Sequence, residues 1–438
     1  MIQKNRYPNL NPQLFIDNRK RLAKHLPKNA MAILFANDEM PRTGDAYYDF
    51  KQNSNFFYLT GIDQEQCAFI FYPDCPNPKF RTTLFLRKTN EHIAVWEGYK
   101  YTIEDAKKIS GIDTIVWIDS FDDTLAMLMT FCSEVFININ ENDRALNYVA
   151  YKDIRFGNEL RQMYPAHQIN RLEPIMKKLR AVKSKQEIEL IAKACNITRD
   201  AFNRVLHFVQ PNVNEYEVEA EIIHEFIRQG ATGHAYTPII ASGKNACVLH
   251  YINNNNICKD GDLLLMDFGA QYANYNADLT RTIPVNGKFT ARQKAVYNAV
   301  LKVMKHAKKI LKPGVLLSDY QDEVGKVMEA ELIQLKLLDK TAVKNQDKDN
   351  PLYKQYFMHG TSHHLGLDVH DTCDRFAPVQ IGNVFTVEPG IYIPKENIGI
   401  RIENDIVIGK TKNTDLMADI PIEVEEIESI MQGKKRKK

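Results

Sequence analysis

The stretch GDLLLMDFGAQY at residues 261–272 is matched in outline by GNVFTVEPGIYI at residues 382–393. The alignment places Asp267 on Glu388 at an offset of 121 residues, and glycines stand at matching positions before and after each acid. In both copies a short apolar run, a pattern typical of a buried strand, leads to the acidic residue. The match predicts an internal duplication in which each half supplies an acid at the end of a strand.

Further features flank the two copies in the same order. A second acid, Asp278 or Glu403, follows the first acid of each half by 11 or 15 residues, and His250 precedes His370 by 120. Two predicted helices precede the strands of each half. Their four starts share a capping-box spacing, a short polar residue followed three positions later by Glu or Gln. These pairs are Ser184–Glu187, Asn214–Glu217, Thr290–Gln293 and Ser318–Gln321. The pattern predicts two copies of a helix–helix–strand unit around one shared centre.

The first ~170 residues have a different organisation. Apolar strand-like runs alternate there with helical stretches, which is typical of an α/β domain. The runs are AMAILFA, QCAFIFYP, TTLFLR, DTIVWI and EVFINI. A chain of 438 residues is expected to form more than one domain. We therefore predict an α/β domain over residues 1–173, with a role in oligomerisation and substrate access, and the duplicated domain over residues 174–438.

Composition excludes several classes of protein. The net charge of +2 gives no general attraction to nucleic acid or to anionic membranes. The seven cysteines contain no CxxC pair, which favours reduced thiols over a disulfide framework. Neither a signal-peptide core nor an apolar stretch of about 18 residues is present, so we expect a cytoplasmic protein. The basic run GKKRKK at residues 433–438 is interpreted as a solvated tail.

Four acids are the strongest candidates for chemistry: Asp267, Asp278, Glu388 and Glu403. An acid at the end of a buried strand is costly unless its charge is compensated. A metal ion or an arginine could compensate it, and Arg281 and Arg401 are the nearest cations in sequence. Since the duplication brings four carboxylates to one centre, where they would repel one another, a metal site is the favoured interpretation.

The segment MHGTSHHLGLDVHD contains His359, His363, His364 and His370. The four-residue spacing of His359 and His363 resembles that of zinc-protease helices, but the surrounding Gly, Ser and Thr residues favour a loop. We expect one histidine to bind metal and the others to face substrate, with His364 the weakest candidate. Four carboxylates and one imidazole favour Mn²⁺, with Co²⁺ or Zn²⁺ as substitutes. Five ligands suit two ions about 3.5–4 Å apart, which activate a water as nucleophile.

These motifs resemble, in order along the chain, the metal-site signature of the pita-bread metallopeptidases, and within them that of the Xaa-Pro aminopeptidases (aminopeptidase P). The resemblance is carried by HYINN, MDFGA, ADLTRT, FMHGTSHHLGLDVHD, TVEPGIY and GIRIEND. The segment YYDFKQNSNFFYLTG resembles the first domain of the same family, so the similarity spans nearly the whole chain. It implies an N-terminal α/β domain followed by a pseudo-twofold pita-bread catalytic domain with α+β structure.

The resemblance also implies a ligand set for two divalent ions. The five ligands would be Asp267, Asp278, His363, Glu388 and Glu403. Asp278 and Glu403 would bridge both ions, and Glu388 would also shuttle a proton for the attacking water. These assignments are expectations that follow from the family signature.

On the substrate side, the resemblance assigns His250 and His370 to the scissile carbonyl and His359 to the neighbourhood of the proline pocket. Arg401 would orient the bridging carboxylates. Trp96 falls where the first domain of a neighbouring subunit lines the active site in the family, although it could equally be a core aromatic residue. A homodimer or homotetramer is therefore expected.

The activity implied is hydrolysis of the first residue from peptides that have proline second. Prolidase, which cuts only X-Pro dipeptides, is the alternative within the fold, and the short interval from Glu388 to Glu403 disfavours it. A binding module that has lost its metals is the alternative from another class, which the complete ligand set disfavours. Lys51, Asn55 and Asn404 depart from the family pattern, and none of them is an expected ligand.

Overall fold

The computed structural model describes residues 5–142 and 148–433. The chain divides into two compact units, Met1–Arg180 and Ala181–Lys438. The boundary predicted after residue 173 lies at the first residue of the helix Glu173–Ala181, and the observed division lies at its other end. Residues 434–438 of the basic tail lie outside the described residues. Among the helices that the structure describes, none combines the length and the apolar character needed to cross a membrane.

The first unit is an α/β domain, as predicted. Its helices are α1 (Gln13–Ala23), α2 (Ser54–Thr60), α3 (Glu91–Glu97), α4 (Ile103–Ser110), α5 (Phe121–Met129), α6 (Lys152–Met163) and α7 (Glu173–Ala181). Its strands are β1 (Ala30–Phe35), β2 (Pro41–Thr43), β3 (Ala46–Tyr47), β4 (Ala68–Phe71), β5 (Thr82–Leu86), β6 (Thr114–Trp117), β7 (Glu134–Ile137) and β8 (Gln168–Arg171). Six of them form one sheet in the order β6-β5-β4-β1-β7-β8. The wholly apolar β1 is central and buried along its length, as a strand covered on both faces should be.

The five strands predicted for this unit are present as β1, β4, β5, β6 and β7. Two further features were not predicted. The edge strand β8 has the polar sequence QINR, and the short hairpin of β2 and β3 is exposed. Neither carries the apolar pattern by which a buried strand is recognised.

The second unit contains the duplicated segments. Its helices are α8 (Lys185–Phe208), α9 (Glu215–Arg228), α10 (Ala291–Ile310), α11 (Leu317–Gln334), α12 (Lys340–Lys344) and α13 (Val424–Gly433). Its strands are β9 (Gly233–His234), β10 (Ile239–Ser242), β11 (Leu263–Phe268), β12 (Ala270–Tyr272), β13 (Tyr275–Asn276), β14 (Leu279–Pro284), β15 (Val384–Val387), β16 (Gly390–Ile393), β17 (Ile398–Arg401), β18 (Asn404–Val407) and β19 (Thr414–Asp415). Two long helices precede the strands in each half, as the duplication predicted.

The four acids occupy equivalent places in the two halves. The first acid lies at the end of a strand, with Asp267 near the end of β11 and Glu388 directly after β15. The second lies immediately before the strand that pairs with it, with Asp278 before β14 and Glu403 before β18. The sequence match at an offset of 121 residues is therefore a structural repeat.

The halves are tied together next to these acids by two reciprocal hydrogen bonds. The backbone N–H of Asp278 donates to Oδ2 of Asp405 at 3.0 Å, and the backbone N–H of Glu403 donates to the carbonyl oxygen of Thr280 at 3.0 Å. In each case the acceptor residue stands two positions beyond the second acid of the opposite half. We call this pair of hydrogen bonds the cross-tie. Each half thus fixes the backbone that carries an acid of the other.

Three of the four predicted helix starts are correct, and the fourth is wrong. Ser184 and Glu187 form a capping box at α8, and α9 and α10 begin as the spacing predicted. At α11 the helix already begins at Leu317, so Ser318 lies inside its first turn and makes no cap. The Gln321 side chain instead accepts hydrogen bonds from Thr361, from its backbone N–H and its hydroxyl, both at 2.8 Å. It thereby anchors the loop that carries His363.

Candidate metal centre

The acids of both halves meet at one point of the second unit. Oxygen atoms of Asp278 and Glu403 and a ring nitrogen of His363 lie within 4.8 Å of one another, an arrangement that could hold a metal ion. Nε2 of His363 lies 3.4 Å from Oδ2 of Asp278 and 3.6 Å from Oε1 of Glu388. The hydroxyl of Tyr236 lies 2.5 Å from Oδ1 of both Asp267 and Asp278. The five side chains predicted as ligands therefore share one neighbourhood.

His363 lies in an irregular loop, as the sequence predicted, and not on a helix. The loop runs beside β15. The backbone N–H of His363 donates to Oγ1 of Thr386 at 3.2 Å, and the backbone N–H of Thr386 donates to the carbonyl oxygen of His363 at 3.0 Å. Nδ1 of the ring lies 3.0 Å from the carbonyl oxygen of His364. A neutral ring that donates from Nδ1 presents Nε2 as the metal-binding atom, and Nε2 is the nitrogen that faces the carboxylates.

Burial, and after it repulsion among the carboxylates, favours the protonated forms of these acids. Burial and then the charges of Asp278 and Glu388 raise the pKa of Glu403 well above its usual value. Burial, and then the neighbouring charge of Asp267, raises the pKa of Asp278. Burial raises the pKa of Glu388 to about 7. Although burial alone lowers the pKa of His363, its contacts with Asp278 and Glu388 raise it to about 9. Excess negative charge of this kind is what a bound cation relieves.

Arginine compensates the charge of one of these acids, Asp267, and leaves the other three without an ion pair to arginine. The buried guanidinium of Arg281 donates to the carbonyl oxygens of Thr280, Glu403 and Pro421 and to Oδ1 of Asn404, so it reaches no carboxylate of the cluster. Arg401 pairs with Oδ2 of Asp267 at 2.6 Å. Within residues 5–142 and 148–433, no lysine or arginine forms an ion pair with the other three acids of the cluster. The donor set, rich in oxygen and short of positive charge, therefore fits divalent cations.

Arg401 also reaches the cluster through a hydroxyl group. Its Nε donates to Oγ1 of Thr280 at 3.1 Å, and that hydroxyl donates to Oε2 of Glu403 at 2.6 Å. Its NH1 group donates to the hydroxyl of Tyr392 at 2.7 Å. One arginine thus contacts Asp267 directly and Glu403 through Thr280, an arrangement suited to orienting both acids.

Three further histidines lie around the cluster. The ring of His370 lies edge-on to that of His363, with centroids 4.3 Å apart. Nε2 of His359 lies 2.8 Å from the hydroxyl of Tyr392, and its Nδ1 lies 3.6 Å from Oε2 of Glu388. Burial and then the charge of Arg401 lower the pKa of His359 to about 4, and His250 contributes to the same lowering. His250 lies on an exposed part of its loop, between Leu249 and Tyr251, which both pack against the core cluster that contains Tyr392.

His364, the weakest candidate in the sequence, packs away from the site. Its ring lies against Phe385, with centroids 4.1 Å apart, and burial lowers its pKa to about 3. This is the environment of a core residue.

Tyr236 and Tyr392 are site residues that sequence reasoning did not single out. Tyr236 precedes Asp267 by 31 residues, and its GHAYTP context has no catalytic pattern. Tyr392 stands inside the quoted TVEPGIY motif without an assigned role. A buried tyrosine hydroxyl needs a hydrogen-bonding partner, but the sequence does not show which tyrosines are buried or which partners they face. Neither tyrosine could therefore be assigned to the site before the fold was known.

A buried ion pair lies next to the histidine loop. Nζ of Lys183 lies 2.7 Å from Oδ2 of Asp371, and each side chain is 1% exposed. The backbone N–H of Asp371 donates to the carbonyl oxygen of His364 at 2.9 Å. Gly366 leaves room for the pair, because a Cβ atom at that position would lie 2.4 Å from Oδ2 of Asp371. The pair connects the residue after His370 to the start of α8.

Trp96 lies in the first unit, on α3. Its side chain is 77% exposed, so the alternative of a core aromatic residue is wrong. Its ring is 6.4 Å from that of His92 between centroids. The expected role in a neighbouring subunit's site stays a prediction.

Two family models match the chain. Residues 189–410 match metallopeptidase family M24, and residues 15–136 match the aminopeptidase P, N-terminal domain. The chain is 34% identical over 433 residues to an Xaa-Pro aminopeptidase of Escherichia coli, across 96% of this chain and 97% of the relative. It is 30% identical over 413 residues to Xaa-Pro aminopeptidase 3 of Homo sapiens, across 91% and 80%.

Solved structures give the same result. Escherichia coli aminopeptidase P with the inhibitor Pro-Leu matches with a TM-score of 0.87 at 31% identity, over 98% of this chain and all of that chain. The zinc-substituted Escherichia coli enzyme in complex with product matches with a TM-score of 0.86 at 31% identity, over 98% and 99%. The expected fold class, an α/β domain followed by a pita-bread domain, is confirmed.

Proposed function

The chain belongs to metallopeptidase family M24, and from this premise we propose that it is a metal-dependent aminopeptidase that removes the first residue from peptides with proline second. The observation that carries the proposal is the meeting of five oxygen and nitrogen donors from both halves of the second unit. The relatives named Xaa-Pro aminopeptidase match this chain along nearly its whole length, which favours this activity over that of prolidase.

Two divalent ions would be held by Asp267, Asp278, His363, Glu388 and Glu403, and Asp278 and Glu403 would be shared by both ions. Mn²⁺ suits a set of four carboxylates and one imidazole, and Co²⁺ or Zn²⁺ can replace it. When bound, the two ions supply Lewis-acid chemistry, which activates a water as nucleophile and polarises the scissile carbonyl. The proximity of the five donors and their unneutralised charge support this assignment.

The remaining catalytic roles belong to Glu388 and to side chains that surround the donor cluster. Glu388 is the proton shuttle for the attacking water, a role that the resemblance to the family's signature implies. His250 and His370 stand on the substrate side and stabilise the charge that develops on the scissile carbonyl. His359, held by Tyr392, borders the pocket for the proline ring. The low pKa of His359, about 4, keeps its imidazole neutral for contact with an apolar ring.

The preference for proline follows from the chemistry of the bond. An X-Pro bond is a tertiary amide without an N–H group. A peptidase that binds the N–H of the scissile bond loses that contact with proline, whereas a pocket that holds the ring does not. The proposed site therefore needs no protein group to accept a hydrogen bond from the nitrogen of the scissile bond.

Two wider features complete the proposal. We expect a homodimer or homotetramer in which the exposed Trp96 reaches a neighbouring active site. A cytoplasmic location is supported by the seven cysteines, which are present as thiols and not as disulfides.

A comparison of an X-Pro-Y tripeptide with an X-Pro dipeptide, assayed before and after metal removal, tests the function. Metal-loaded protein should hydrolyse the tripeptide, and chelator-treated protein should lose the activity and recover it best with Mn²⁺ because the donors are hard. Release of the first residue is measured by chromatography. Cleavage confined to the dipeptide would identify prolidase, and full activity after exhaustive chelation would refute the metal-dependent mechanism.

Replacing His370 with alanine tests the substrate side. We expect turnover to fall roughly 100-fold while both metals are retained, because a group that stabilises the transition state has been removed and no ligand has been lost. Kinetics and metal analysis of the same preparation check this. His364→Ala is the control for the histidine loop, since His364 packs in the core. Loss of metal from His370→Ala would make His370 a ligand instead.

A further inference from the structure

The segment 242–256 carries His250 but has little regular structure of its own. After the 3₁₀ turn Gly243–Cys247 it continues without a helix or strand. A side chain that acts on substrate must nevertheless be held in place, because small displacements are costly for catalysis. Contacts with other elements must therefore fix this segment.

The side chain of Glu215 provides most of the attachment. Glu215 is the first residue of α9 and is fully buried. Its Oε1 accepts hydrogen bonds from the backbone N–H and the hydroxyl of Ser242, both at 2.7 Å, and from Nδ2 of Asn245 at 3.3 Å. Its Oε2 accepts from the hydroxyl of Tyr251 at 2.8 Å and from the backbone N–H of Asn256 at 2.9 Å. All five donors belong to the segment 242–256.

Two further observations support the view that the Glu215 side chain serves to hold this segment. In the described part of the chain Glu215 forms no ion pair with lysine, arginine or histidine, so its buried charge is stabilised by these hydrogen bonds. In addition, the backbone N–H of Glu215 donates to the carbonyl oxygen of Asn256 at 2.9 Å. Both ends of the segment are thus bound to one residue, which closes the segment into a loop.

A second attachment lies one helical turn further along α9. Nδ2 of Asn254 donates to Oε2 of Glu219 at 2.8 Å and to the carbonyl oxygen of Pro238 at 3.0 Å. Oδ1 of Asn254 accepts from the backbone N–H of Ile240 at 3.0 Å. Tyr251 and Asn254 of the HYINN motif therefore face α9 and β10, whereas His250 remains exposed.

We propose that Glu215 is a positioning residue for His250. It holds the loop 242–256 closed so that the imidazole of His250 stands on the substrate side of the site. This inference rests on the proposed function, because it takes from that function the role of His250. Glu215 does not contact the donor cluster itself and acts only through the loop.

Replacement of Glu215 by Gln tests the inference. The amide keeps one oxygen acceptor. In either orientation its NH₂ group replaces the acceptor of a backbone N–H, that of Ser242 or that of Asn256, so at least one backbone hydrogen bond of the loop is lost. We expect kcat/KM to fall roughly 10- to 100-fold, with metal content unchanged. The matched control is Glu225→Gln, a buried glutamate of the same helix that bonds to Arg228 and Gln229. Its kinetics should equal those of the wild type.

A double-mutant comparison separates positioning from general structure. In a His250→Ala background, Glu215→Gln should cause no further loss, because the residue it positions is already absent. An equal loss in both backgrounds, or no loss in either, would overturn the inference. Should Glu215→Gln fail to fold, Tyr251→Phe removes a single donor, and the same two comparisons apply to it.

Hydrogen exchange provides a readout that does not depend on the substrate. The backbone amide of Ser242 or that of Asn256 should exchange faster in Glu215→Gln than in Glu225→Gln, since the one that faces the new NH₂ group has lost its acceptor. Unchanged exchange would overturn the inference. A wild type that cleaves no X-Pro peptide with any metal would instead overturn the proposed function, and the exchange measurement would still decide whether Glu215 holds the loop.

Discussion

Replacing Glu403 or Asp278 with alanine is expected to abolish peptide hydrolysis and to lower the content of both metals. Each of these acids is buried, and in the proposed centre each is shared by both ions. Loss of a shared ligand therefore weakens two sites at once. If the metals supply several kcal/mol to the transition state, activity falls by about a thousandfold or more. Activity and metal content should be measured on the same dialysed preparation.

The control for this prediction is Glu331→Ala. Glu331 is also a buried acid of the second unit, but it bonds to Lys302 on the neighbouring helix and not to the donor cluster. Its substitution should leave metal content at the wild-type level. Wild-type metal content in Glu403→Ala or Asp278→Ala would show that the replaced acid is not a shared ligand.

Replacing Lys183 with methionine is expected to destabilise the second unit by about 3–5 kcal/mol, because it removes the buried ammonium group that pairs with the carboxylate of Asp371. The Lys183–Asp371 pair has 1% exposure on each side, so water cannot take the place of the lost cation. Both tryptophans, Trp96 and Trp117, lie in the first unit, so their fluorescence does not report on this region. Denaturant unfolding should be followed by circular dichroism.

The double variant Lys183→Met with Asp371→Asn serves as the comparison. It removes both charges, and its loss of stability should be smaller than the sum of the two single losses. The exposed pair of Lys185 and Glu189, one helical turn apart on α8, provides a surface control whose removal should change stability by less than about 1 kcal/mol. Additive losses in the double variant would show that the two buried groups do not depend on each other.

The parts of the site that could be predicted from sequence are those with a local pattern. Asp267 and Glu388 each follow an apolar run, and a repeat at a fixed offset connects the two. The loop around His363 followed from its glycine, serine and threonine residues. The specific substrate-side roles of His250, His359 and His370 came from the family resemblance and not from local pattern.

The remaining contacts join residues that are distant along the chain. Tyr236 meets Asp278 across 42 residues, and Gln321 meets Thr361 across 40. Gln321 also shows how a local rule fails, since its spacing from Ser318 fits a capping box while its side chain is used by a loop. The role of Glu215 was likewise not predicted, because a glutamate at the start of a helix normally faces solvent. Such residues are recognised only when the fold is known.

The cross-tie affects how the metal site forms during folding. Because the backbone of Asp278 is held by Asp405, and that of Glu403 by Thr280, neither half presents its acid correctly by itself. A fragment that ends between the repeats would be an incomplete chelator, however well its own helices and strands formed. Metal uptake during refolding should therefore occur late and in a single step, as a signal that the two repeats have joined.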